Sequence, residues 1–209
     1  MNIHEARLYL VAPAHLAVGD LAELVPELAA AGVDIIQLRE KELEAGELLR
    51  IGDRIAQACR AAGVPFIVND RPDVALGLEA DGVHLGQNDL PIDLSRTVLP
   101  GRLHGLSTHS AEQIRQALER APDYIAVGPV NATPTKPGRP GTGIALVRDA
   151  AELIEKIPWF VTGGMATDSL PDVLEAGGRR IVVVRAIVES EDPPKAAAEL
   201  RKMLDEVPL

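Results

Sequence analysis

The sequence predicts an α/β protein that folds as a single-domain (β/α)8 barrel, or TIM barrel, of near-minimal size. A short run rich in Val and Ile, a polar or Gly/Pro corner and an Ala/Leu-rich amphipathic stretch form a unit that recurs eight times. No linker or shift in composition divides the 209 residues, a length near the lower limit of the fold. Residues 12–15 lack the glycine-rich turn that a doubly wound sheet carries after its first strand, which disfavours that alternative.

The eight predicted strands are short apolar runs, as is typical of parallel strands buried on both faces. All five aromatic residues of the chain lie within them. The runs are residues 7–12, 34–40, 65–70, 82–86, 103–108, 124–130, 159–164 and 180–186. We expect them to form the wall of the barrel.

The stretches between the strands carry the periodicity and end signals of amphipathic helices. Residues 20–31 place apolar side chains at i, i+3, i+4 and i+7, begin at Asp20 and are followed by Gly32, which fits a helix capped at both ends. Ser110 begins another helix, through residue 120, with Gln113 at the capping-box position. The other predicted helices are residues 43–62, 144–157, 168–176 and 194–206, with shorter ones at 72–78 and 91–99.

The composition excludes several classes of partner. The chain carries 21 Lys and Arg against 31 Asp and Glu, a net charge of −10, which suits neither a nucleic-acid backbone nor an anionic membrane. Its five aromatic residues are too few for a base-stacking surface. The single Cys59 excludes an internal disulfide and a Cys-rich zinc site, and its helical surroundings indicate a small packed residue. We therefore expect small-molecule substrates, and the oligomeric state stays open.

The sequence also predicts a cytoplasmic location. No stretch approaches the ~20 uncharged apolar residues that a membrane span needs. The N-terminus does not resemble a signal peptide, because Glu5 occupies the place of the basic segment and Pro13 and His15 interrupt the apolar part.

Polar residues collect at the C-terminal ends of nearly all predicted strands, where barrels of this class carry their active sites. Taken one at a time, they have structural explanations: a solvated loop charge, a helix cap, a satisfied barrel histidine or a tight turn. Their collection at one end of the barrel favours a functional site. The residues are Gln37, Arg39, Lys41, Asn69, Asp70, His84, Asp89, Ser107, Thr108, His109, Gly163, Gly164 and Arg185.

The residue types at these strand ends indicate phosphate chemistry. Arg39, Lys41 and Lys136 are cations that can meet phosphate oxygens. Asp70 and Asp89 come from adjacent strands, and Mg2+ commonly takes one or two carboxylates together with substrate phosphates and water. Zinc is less suitable, because the five histidines show no zinc-ligand spacing. The Gly-Gly turn and the end of the eighth strand form the place where barrels often hold a phosphate.

The segment 131–143 is the most unusual connection, with three Pro and three Gly in addition to Lys136 and Arg139. It can be interpreted as an exposed connector or as an active-site lid that closes over an anion. We adopt the lid as the prediction, in which the prolines limit the entropy lost on closure.

Seven short motifs occur in order along the chain. They read QLREK at 37–41, NDR at 69–71, GVHLGQND at 82–89, GLSTH at 105–109, GPV at 128–130, TPTK at 133–136 and GG at 163–164. Together they resemble the thiamine phosphate synthase family, also called thiamine-phosphate pyrophosphorylase, over about residues 7–190. No single motif is specific, but the ordered set is.

The resemblance implies an enzyme that joins 4-amino-5-hydroxymethyl-2-methylpyrimidine diphosphate to a thiazole ethyl phosphate, yielding thiamine phosphate and pyrophosphate. The implied path is dissociative: the diphosphate leaves, the aminopyrimidine ring delocalises the cation, and the thiazole nitrogen attacks without any protein nucleophile. The implied ligands are Gln37, Ser107 and His84 for the pyrimidine; Arg39, Lys41, Asn69 and Lys136 for the pyrophosphate; Asp70 and Asp89 for Mg2+; and Thr133, Thr135, Gly164 and the eighth strand end for the thiazole phosphate or carboxylate. By the same resemblance, the catalytic part falls to Arg39, Lys41 and Lys136.

The chain departs from the family pattern at a few positions. Many relatives carry an apolar residue and a Pro where Asn131 and Ala132 stand, a change that bears on how the lid packs. Arg185 stands where a Ser is common and adds a cation at the end of the eighth strand.

Two alternatives stay open from the sequence. A thiazole tautomerase on the same barrel would use a histidine such as His109 as its acid or base and would not need a Mg2+ pair. A non-catalytic sensor of phosphorylated ligands would need cations and backbone donors but no paired carboxylates. Asp70, Asp89 and the segment Thr133-x-Thr-Lys136 favour the synthase over the tautomerase, and a metal-dependent turnover assay separates the sensor from both enzymes.

Overall fold

The computed structural model describes residues 2–13, 20–132 and 140–209 and confirms the predicted (β/α)8 barrel. Eight parallel strands follow one another in chain order around a closed ring, in which the last strand pairs with the first. The strands are β1 Leu8–Ala12, β2 Ile35–Leu38, β3 Phe66–Asn69, β4 Gly82–Leu85, β5 Leu103–Thr108, β6 Tyr124–Val127, β7 Trp159–Val161 and β8 Ile181–Val183. All five aromatic residues lie in these strands, as the sequence predicts.

Helices pack against the outside of the ring, and their end signals act as predicted. The Asp20 carboxylate accepts a hydrogen bond from the Ala22 N–H, and Ser110 Oγ accepts one from the Gln113 N–H. Gly63 ends the second helix in the left-handed conformation. The helices are α1 Leu21–Ala30, α2 Ala45–Ala62, α3 Pro72–Gly77, α4 Ile92–Val98, α5 Ala111–Glu119, α6 Ala145–Leu153, α7 Leu170–Glu175, α8 Arg185–Val188 and α9 Pro193–Asp205.

The eighth strand is shorter than the sequence predicts. The predicted strand covers residues 180–186, whereas β8 ends at Val183 and Arg185 begins the short helix α8. The apolar run continues past the strand because α8 buries Ile187 and Val188 in the outer core. Short apolar runs of a strand and of a buried helix look alike in sequence, so the sequence places this boundary too late.

Other predicted strands also run past their observed ends. Residues 128–130 and 162–164, for example, lie beyond β6 and β7. Their backbone leaves the ladder and forms loops at the rim of the barrel, which is where a site can be built.

The barrel interior is filled by a small aromatic cluster. Tyr9, Tyr124 and Phe160 pack edge to face, with ring centroids 5.5 to 5.8 Å apart. Gly105 on β5 makes room for the Tyr124 ring, because a Cβ at this position would overlap it. The cluster fills the interior, and Tyr9 also lies in the wall of the cavity at the C-terminal strand ends.

The opposite end of the barrel is closed by the chain terminus. The Asp34 carboxylate accepts hydrogen bonds from the backbone N–H groups of Arg7 at 2.7 Å and Leu8 at 3.0 Å. The same carboxylate pairs with Arg201 of α9 at 3.0 Å. The Arg7 guanidinium donates to the Leu204 carbonyl oxygen at the end of α9. These contacts fix α9 across the base of the barrel, away from the C-terminal strand ends.

Cys59 is a packed residue, as the sequence predicts. It is buried in α2, where burial raises the pKa of its thiol to about 12. The thiol therefore stays protonated and is a poor nucleophile. Over the ranges that the structure describes, none of the helices has the length and apolar character that crossing a membrane requires.

Candidate active site

A cavity of about 300 Å3 opens at the C-terminal ends of the strands. Residues that are far apart in the chain become neighbours there, because all parallel strands of a barrel end at the same rim. The predicted site residues in its wall are Gln37, Arg39, Lys41, Asn69, Asp70, His84, Ser107, Gly163, Gly164 and Arg185. The cavity therefore gathers most of the predicted set in one place.

Asp89 is not part of the cavity wall, but its carboxyl group is hydrogen-bonded to that of Asp70. Its Oδ2 also accepts a hydrogen bond from the Gly86 N–H at 2.6 Å, which folds the segment after β4 back toward β3. Burial and the neighbouring Asp70 raise the pKa of Asp89. Burial also acts to raise the pKa of Asp70, but hydrogen bonds to Asp89 and Lys41 outweigh it and hold that pKa below its ordinary value.

Two cations stand beside this carboxyl pair. Lys41 Nζ lies 2.9 Å from Asp70 Oδ2, and the lysine side chain is half exposed. Arg39 lies deeper, where burial lowers the pKa of its guanidinium and the charges of Asp70 and Glu40 act against that shift. An arginine keeps its charge under such a shift. One side of the cavity thus carries two cations and two acids within a few side-chain lengths.

The backbone at the end of β3 is unusual in a way that serves this cluster. Asp70 adopts a left-handed conformation, with φ of 63°, which is uncommon for a non-glycine residue. Its N–H donates to the His84 carbonyl oxygen at 2.8 Å, and the Arg71 N–H donates to the Asn69 carbonyl oxygen at 2.8 Å. Backbone strain of this kind persists where the surroundings over-determine it, commonly at functional sites.

A continuous chain of polar contacts crosses the floor of the cavity. Gln37 Nε2 donates to Tyr9 Oη at 2.5 Å, and Tyr9 Oη lies 2.9 Å from Tyr124 Oη. Tyr124 Oη lies 3.2 Å from His84 Nδ1. On the other side of its ring, His84 Nε2 lies 2.8 Å from Ser107 Oγ. All five side chains are largely buried, and these contacts pair their polar groups with one another.

Sequence reasoning found Gln37, His84 and Ser107 but missed the two tyrosines between them. Tyr9 and Tyr124 lie inside apolar strands and outside every motif, so no local pattern marks them. The one available signal was that the tyrosines of the chain both fall in strands, where a buried hydroxyl needs a partner.

The far side of the cavity is formed by the turn after β7 and by α8. Gly163 and Gly164 have positive φ values of 104° and 69°, and a Cβ on Gly163 would meet Pro129 at 2.5 Å. Arg185 also lies in the cavity wall and pairs with Glu189 one turn along α8, at 3.5 Å. A third positive charge therefore faces the cavity, from the side opposite to the carboxyl pair.

Comparison with known proteins assigns the chain to a family. The family model described as thiamine monophosphate synthase matches residues 8–187. The chain belongs to the thiamine monophosphate synthase family. It is 48% identical over 205 residues to the thiamine-phosphate synthase of Acidothermus cellulolyticus, covering 97% of both chains. It is 53% identical over 175 residues to that of Thermus thermophilus, covering 84% of both.

Solved structures agree with this assignment of the chain to the thiamine monophosphate synthase family. Thiamine phosphate pyrophosphorylase from Pyrococcus furiosus superposes with a TM-score of 0.87 at 34% identity, over 98% of this chain and 97% of that one. A 3-hexulose-6-phosphate synthase superposes with a TM-score of 0.68 at 19% identity, over 94% of this chain and 98% of that one. The second likeness shows the barrel fold alone.

His109, the residue that a tautomerase would use as its acid or base, makes hydrogen bonds to neighbouring elements of the barrel. His109 lies outside the cavity wall, and its Nδ1 is hydrogen-bonded to the Gly128 carbonyl oxygen. The backbone N–H of His109 donates to Gln113 Oε1 at 2.8 Å. These contacts tie the end of β5 to the end of β6 and to the start of α5.

Three predicted residues of the family's TPTK motif, Thr133, Thr135 and Lys136, lie outside the described residues. The two ends of their segment are described. The Thr142 N–H and hydroxyl both donate to the Pro129 carbonyl oxygen, at 2.8 and 3.1 Å. The Gly143 N–H donates to the Val130 carbonyl oxygen at 3.0 Å. The segment 131–143 therefore leaves and rejoins the rim at adjacent points.

Proposed function

We propose that this chain is a transferase, a thiamine phosphate synthase that joins 4-amino-5-hydroxymethyl-2-methylpyrimidine diphosphate to a thiazole ethyl phosphate and releases pyrophosphate. The observation that carries the proposal is the cluster of Arg39, Lys41, Asp70 and Asp89 at one side of a cavity with a polar floor. A leaving diphosphate needs positive charge beside it, which the two cations and a Mg2+ ion held by the two carboxylates would supply. Membership of the synthase family supports the same reaction.

The carboxyl pair suits a magnesium ion. Asp70 and Asp89 are close enough to share a hydrogen bond, and the raised pKa of Asp89, caused by burial and by Asp70, reflects the cost of placing two negative charges there. A divalent cation removes that cost, and hard carboxylate oxygens are the ligands that Mg2+ takes together with phosphates. Over the described residues, no group of three or more His, Cys, Asp and Glu side chains is placed to hold a metal ion. When bound, Mg2+ would neutralise charge on the departing pyrophosphate.

The protein's own residues then have distinct tasks. Arg39 and Lys41 hold the diphosphate and stabilise it as the C–O bond to the pyrimidine methylene breaks, together with Lys136 and Asn69. The electron pair of that bond goes to the pyrophosphate, and the lone pair of the thiazole nitrogen forms the new C–N bond. No protein nucleophile takes part, in accord with the protonated, buried Cys59.

The two substrates fit opposite sides of the cavity. The pyrimidine lies on the floor at Gln37, His84 and Ser107, with its diphosphate toward the carboxyl pair. The thiazole phosphate lies toward Gly164 and Arg185, with Thr133 and Thr135 as further ligands. This arrangement keeps the two anions apart and brings the thiazole nitrogen between them, which is the positioning the reaction requires.

The segment 131–143 acts as a lid in this proposal. Closure excludes water, which would otherwise capture the pyrimidine cation as an alcohol. The adjacent anchoring of its ends by Pro129 and Val130 supports a lid that moves without disturbing the barrel. We place the reaction in the cytoplasm, with no nucleic-acid or membrane partner.

A turnover assay tests the proposed function directly. Both substrates are mixed with the protein, with and without Mg2+, and thiamine phosphate and pyrophosphate are measured. We expect equal amounts of the two products, and only with Mg2+ present. Isomerisation of a thiazole carboxylate phosphate without the pyrimidine would indicate a tautomerase instead, and binding without turnover would indicate a sensor.

A further inference from the structure

Tyr9 and Tyr124 connect Gln37 on one side of the cavity floor to His84 and Ser107 on the other. Assigning the hydrogen of each contact shows in which direction these hydrogen bonds are donated. Each phenol supplies a single hydrogen, because burial raises the pKa of both tyrosines and keeps them protonated. Tyr9 Oη accepts from Gln37 Nε2, so its own hydrogen is available for Tyr124 Oη. The direction follows from the Gln37 amide, whose nitrogen faces Tyr9; with the amide turned over, Tyr9 would donate to its oxygen and every hydrogen bond of the link would reverse.

The direction continues through the histidine. The Tyr124 hydrogen is donated to His84 Nδ1, which must therefore be an unprotonated acceptor. The single ring hydrogen of neutral His84 is then on Nε2, and it is donated to Ser107 Oγ. The Ser107 hydroxyl accepts this bond and keeps its own hydrogen for the cavity, whose wall it forms.

We propose that Tyr9 and Tyr124 are positioning residues that transmit the hydrogen-bond direction from Gln37 to His84 and Ser107, so that the cavity presents the Gln37 amide oxygen as an acceptor and the Ser107 hydroxyl as a donor. The two groups come from β2 and β5 and face the cavity from different sides of the ring. An aminopyrimidine carries the complementary pair, an exocyclic N–H donor and a ring-nitrogen acceptor. The choice of an aminopyrimidine as the ligand rests on the proposed function, whereas the direction of the hydrogen bonds does not.

This direction predicts which analogues the site rejects. An oxopyrimidine presents a carbonyl oxygen where the aminopyrimidine has its amino group, and a ring N–H where the other has a bare nitrogen. It would set acceptor against acceptor at Gln37 and donor against donor at Ser107. Buried polar groups left unpaired in this way are a strong source of discrimination.

The tautomer of His84 reports the direction without any substrate. In protein labelled with 15N-histidine, with the His84 signals assigned by their loss in His84→Gln, we expect a neutral ring protonated on Nε2 and bare at Nδ1. Tyr124→Phe keeps the ring in the aromatic cluster but removes the donor to Nδ1, so the tautomer population should shift toward Nδ1–H. Tyr9→Phe removes the preceding link and serves as a second variant where Tyr124→Phe folds poorly.

Steady-state kinetics provide a second test of the positioning role of Tyr124. Tyr124→Phe should raise the KM for the pyrimidine diphosphate about tenfold, the effect of losing roughly one directed hydrogen bond, with little change in the KM for the thiazole phosphate. Phe160→Leu is the matched control, because it alters packing in the same cluster but carries no hydroxyl. It should lower the Tm while leaving the tautomer and both KM values as in the wild type.

Two results would overturn the inference. One is an Nδ1–H tautomer of His84 in the unliganded wild-type protein, which would mean that the hydrogen bonds are donated in the opposite direction. The other is a Tyr124→Phe variant whose tautomer and pyrimidine KM match the wild type. If His84 has the expected tautomer but the protein makes no thiamine phosphate, the direction of the hydrogen bonds is supported and the proposed function is contradicted. The two failures are therefore distinguishable.

Discussion

Arg39 and Lys41 leave the end of β2 together but are held differently. Lys41 pairs with Asp70, and 51% of its side chain is exposed, so solvent screens the pair. The Arg39 backbone N–H donates to the Ala12 carbonyl oxygen at 3.1 Å, and its side chain lies in the cavity wall near the charges of Asp70 and Glu40. Neither cation supports the apolar core, which indicates that both serve a ligand.

Arg39→Ala should therefore reduce activity without unfolding the protein. We expect kcat/KM to fall about a hundredfold or more, because the leaving pyrophosphate loses a charged donor, and the free energy of unfolding to change by less than about 1 kcal/mol. Steady-state kinetics and urea unfolding measure the two quantities. Arg50→Ala, at an exposed position of α2, should change neither. A strongly destabilised Arg39→Ala protein would assign the side chain a structural role.

Asp89→Asn isolates the charge of the second carboxylate. The amide oxygen can still accept the hydrogen bond from the Gly86 N–H, so the turn after β4 is kept while the negative charge is lost. Turnover should fall about a hundredfold or more, and the Mg2+ concentration for half-maximal rate should rise. Asp93→Asn on α4, where the side chain is exposed, is the matched control. Full wild-type activity in excess chelator would contradict the magnesium proposal.

Among the structural elements, β5 and β6 determine how the cavity floor is built. The Tyr124 ring of β6 lies against Gly105 of β5, in register with it across the ladder. A side chain at residue 105 would occupy the volume of the ring. The missing side chain of one strand therefore makes room for the tyrosine of the next.

Gly105→Ala should destabilise the protein by about 1–3 kcal/mol, because the added Cβ overlaps the Tyr124 ring in a closely packed interior. Thermal and urea unfolding measure this effect. Gly46→Ala in α2 is the control, because a Cβ there meets nothing and the substitution should stabilise by about 0.4–1 kcal/mol. Equal stability of Gly105→Ala and the wild type would mean that the ring can move aside freely.

The segment 131–143 is the other element with a testable role. Limited proteolysis should cleave it near Gly138 and Arg139, and Mg2+-pyrophosphate with the thiazole phosphate should slow that cleavage, because a closed lid is less accessible. Lys136→Ala should lower thiamine phosphate formation and raise the alcohol by-product. If saturating ligand leaves the cleavage rate unchanged, the segment is only a connector.

In the molecule as a whole, stability and chemistry are separated along the barrel axis. The net charge is −10, yet Arg39, Lys41 and Arg185 face the cavity at the C-terminal ends of the strands. A local concentration of cations can attract anionic substrates in an acidic protein. The opposite end carries the contacts of Asp34 with the start of β1 and with Arg201 of α9.

Asp34→Ala tests whether the stability supplied at the base of the barrel is independent of the activity at the C-terminal strand ends. It leaves two backbone N–H groups and Arg201 without their carboxylate, and we expect a loss of about 2–3 kcal/mol in the free energy of unfolding. The kcat of the folded protein, measured well below its Tm, should be unchanged. Glu47→Gln, which breaks an exposed ion pair on α2, should change stability by less than about 0.5 kcal/mol. A large fall in kcat would show that the two ends are coupled.

Local patterns in the sequence were sufficient for the barrel and for most of the polar residues of the cavity wall. Repeated apolar runs and helix caps such as Asp20 predict the elements, because they depend on residues only a few positions apart. Alternation along the predicted second strand and its end places Gln37, Arg39 and Lys41 on one face. Because parallel strands of a barrel end at one rim, these residues were found from the sequence alone.

The remaining features depend on closure of the ring. Tyr9 and Tyr124 are 115 residues apart and meet only because β1 and β6 enclose the same interior. The contact of Asp89 with Asp70 needs the turn after β4 to fold back toward β3, and the end of β8 depends on α8 packing into the outer core. Such long-range contacts leave no periodicity in the chain, because the free energy that selects them comes from packing and from satisfying buried polar groups in the folded state.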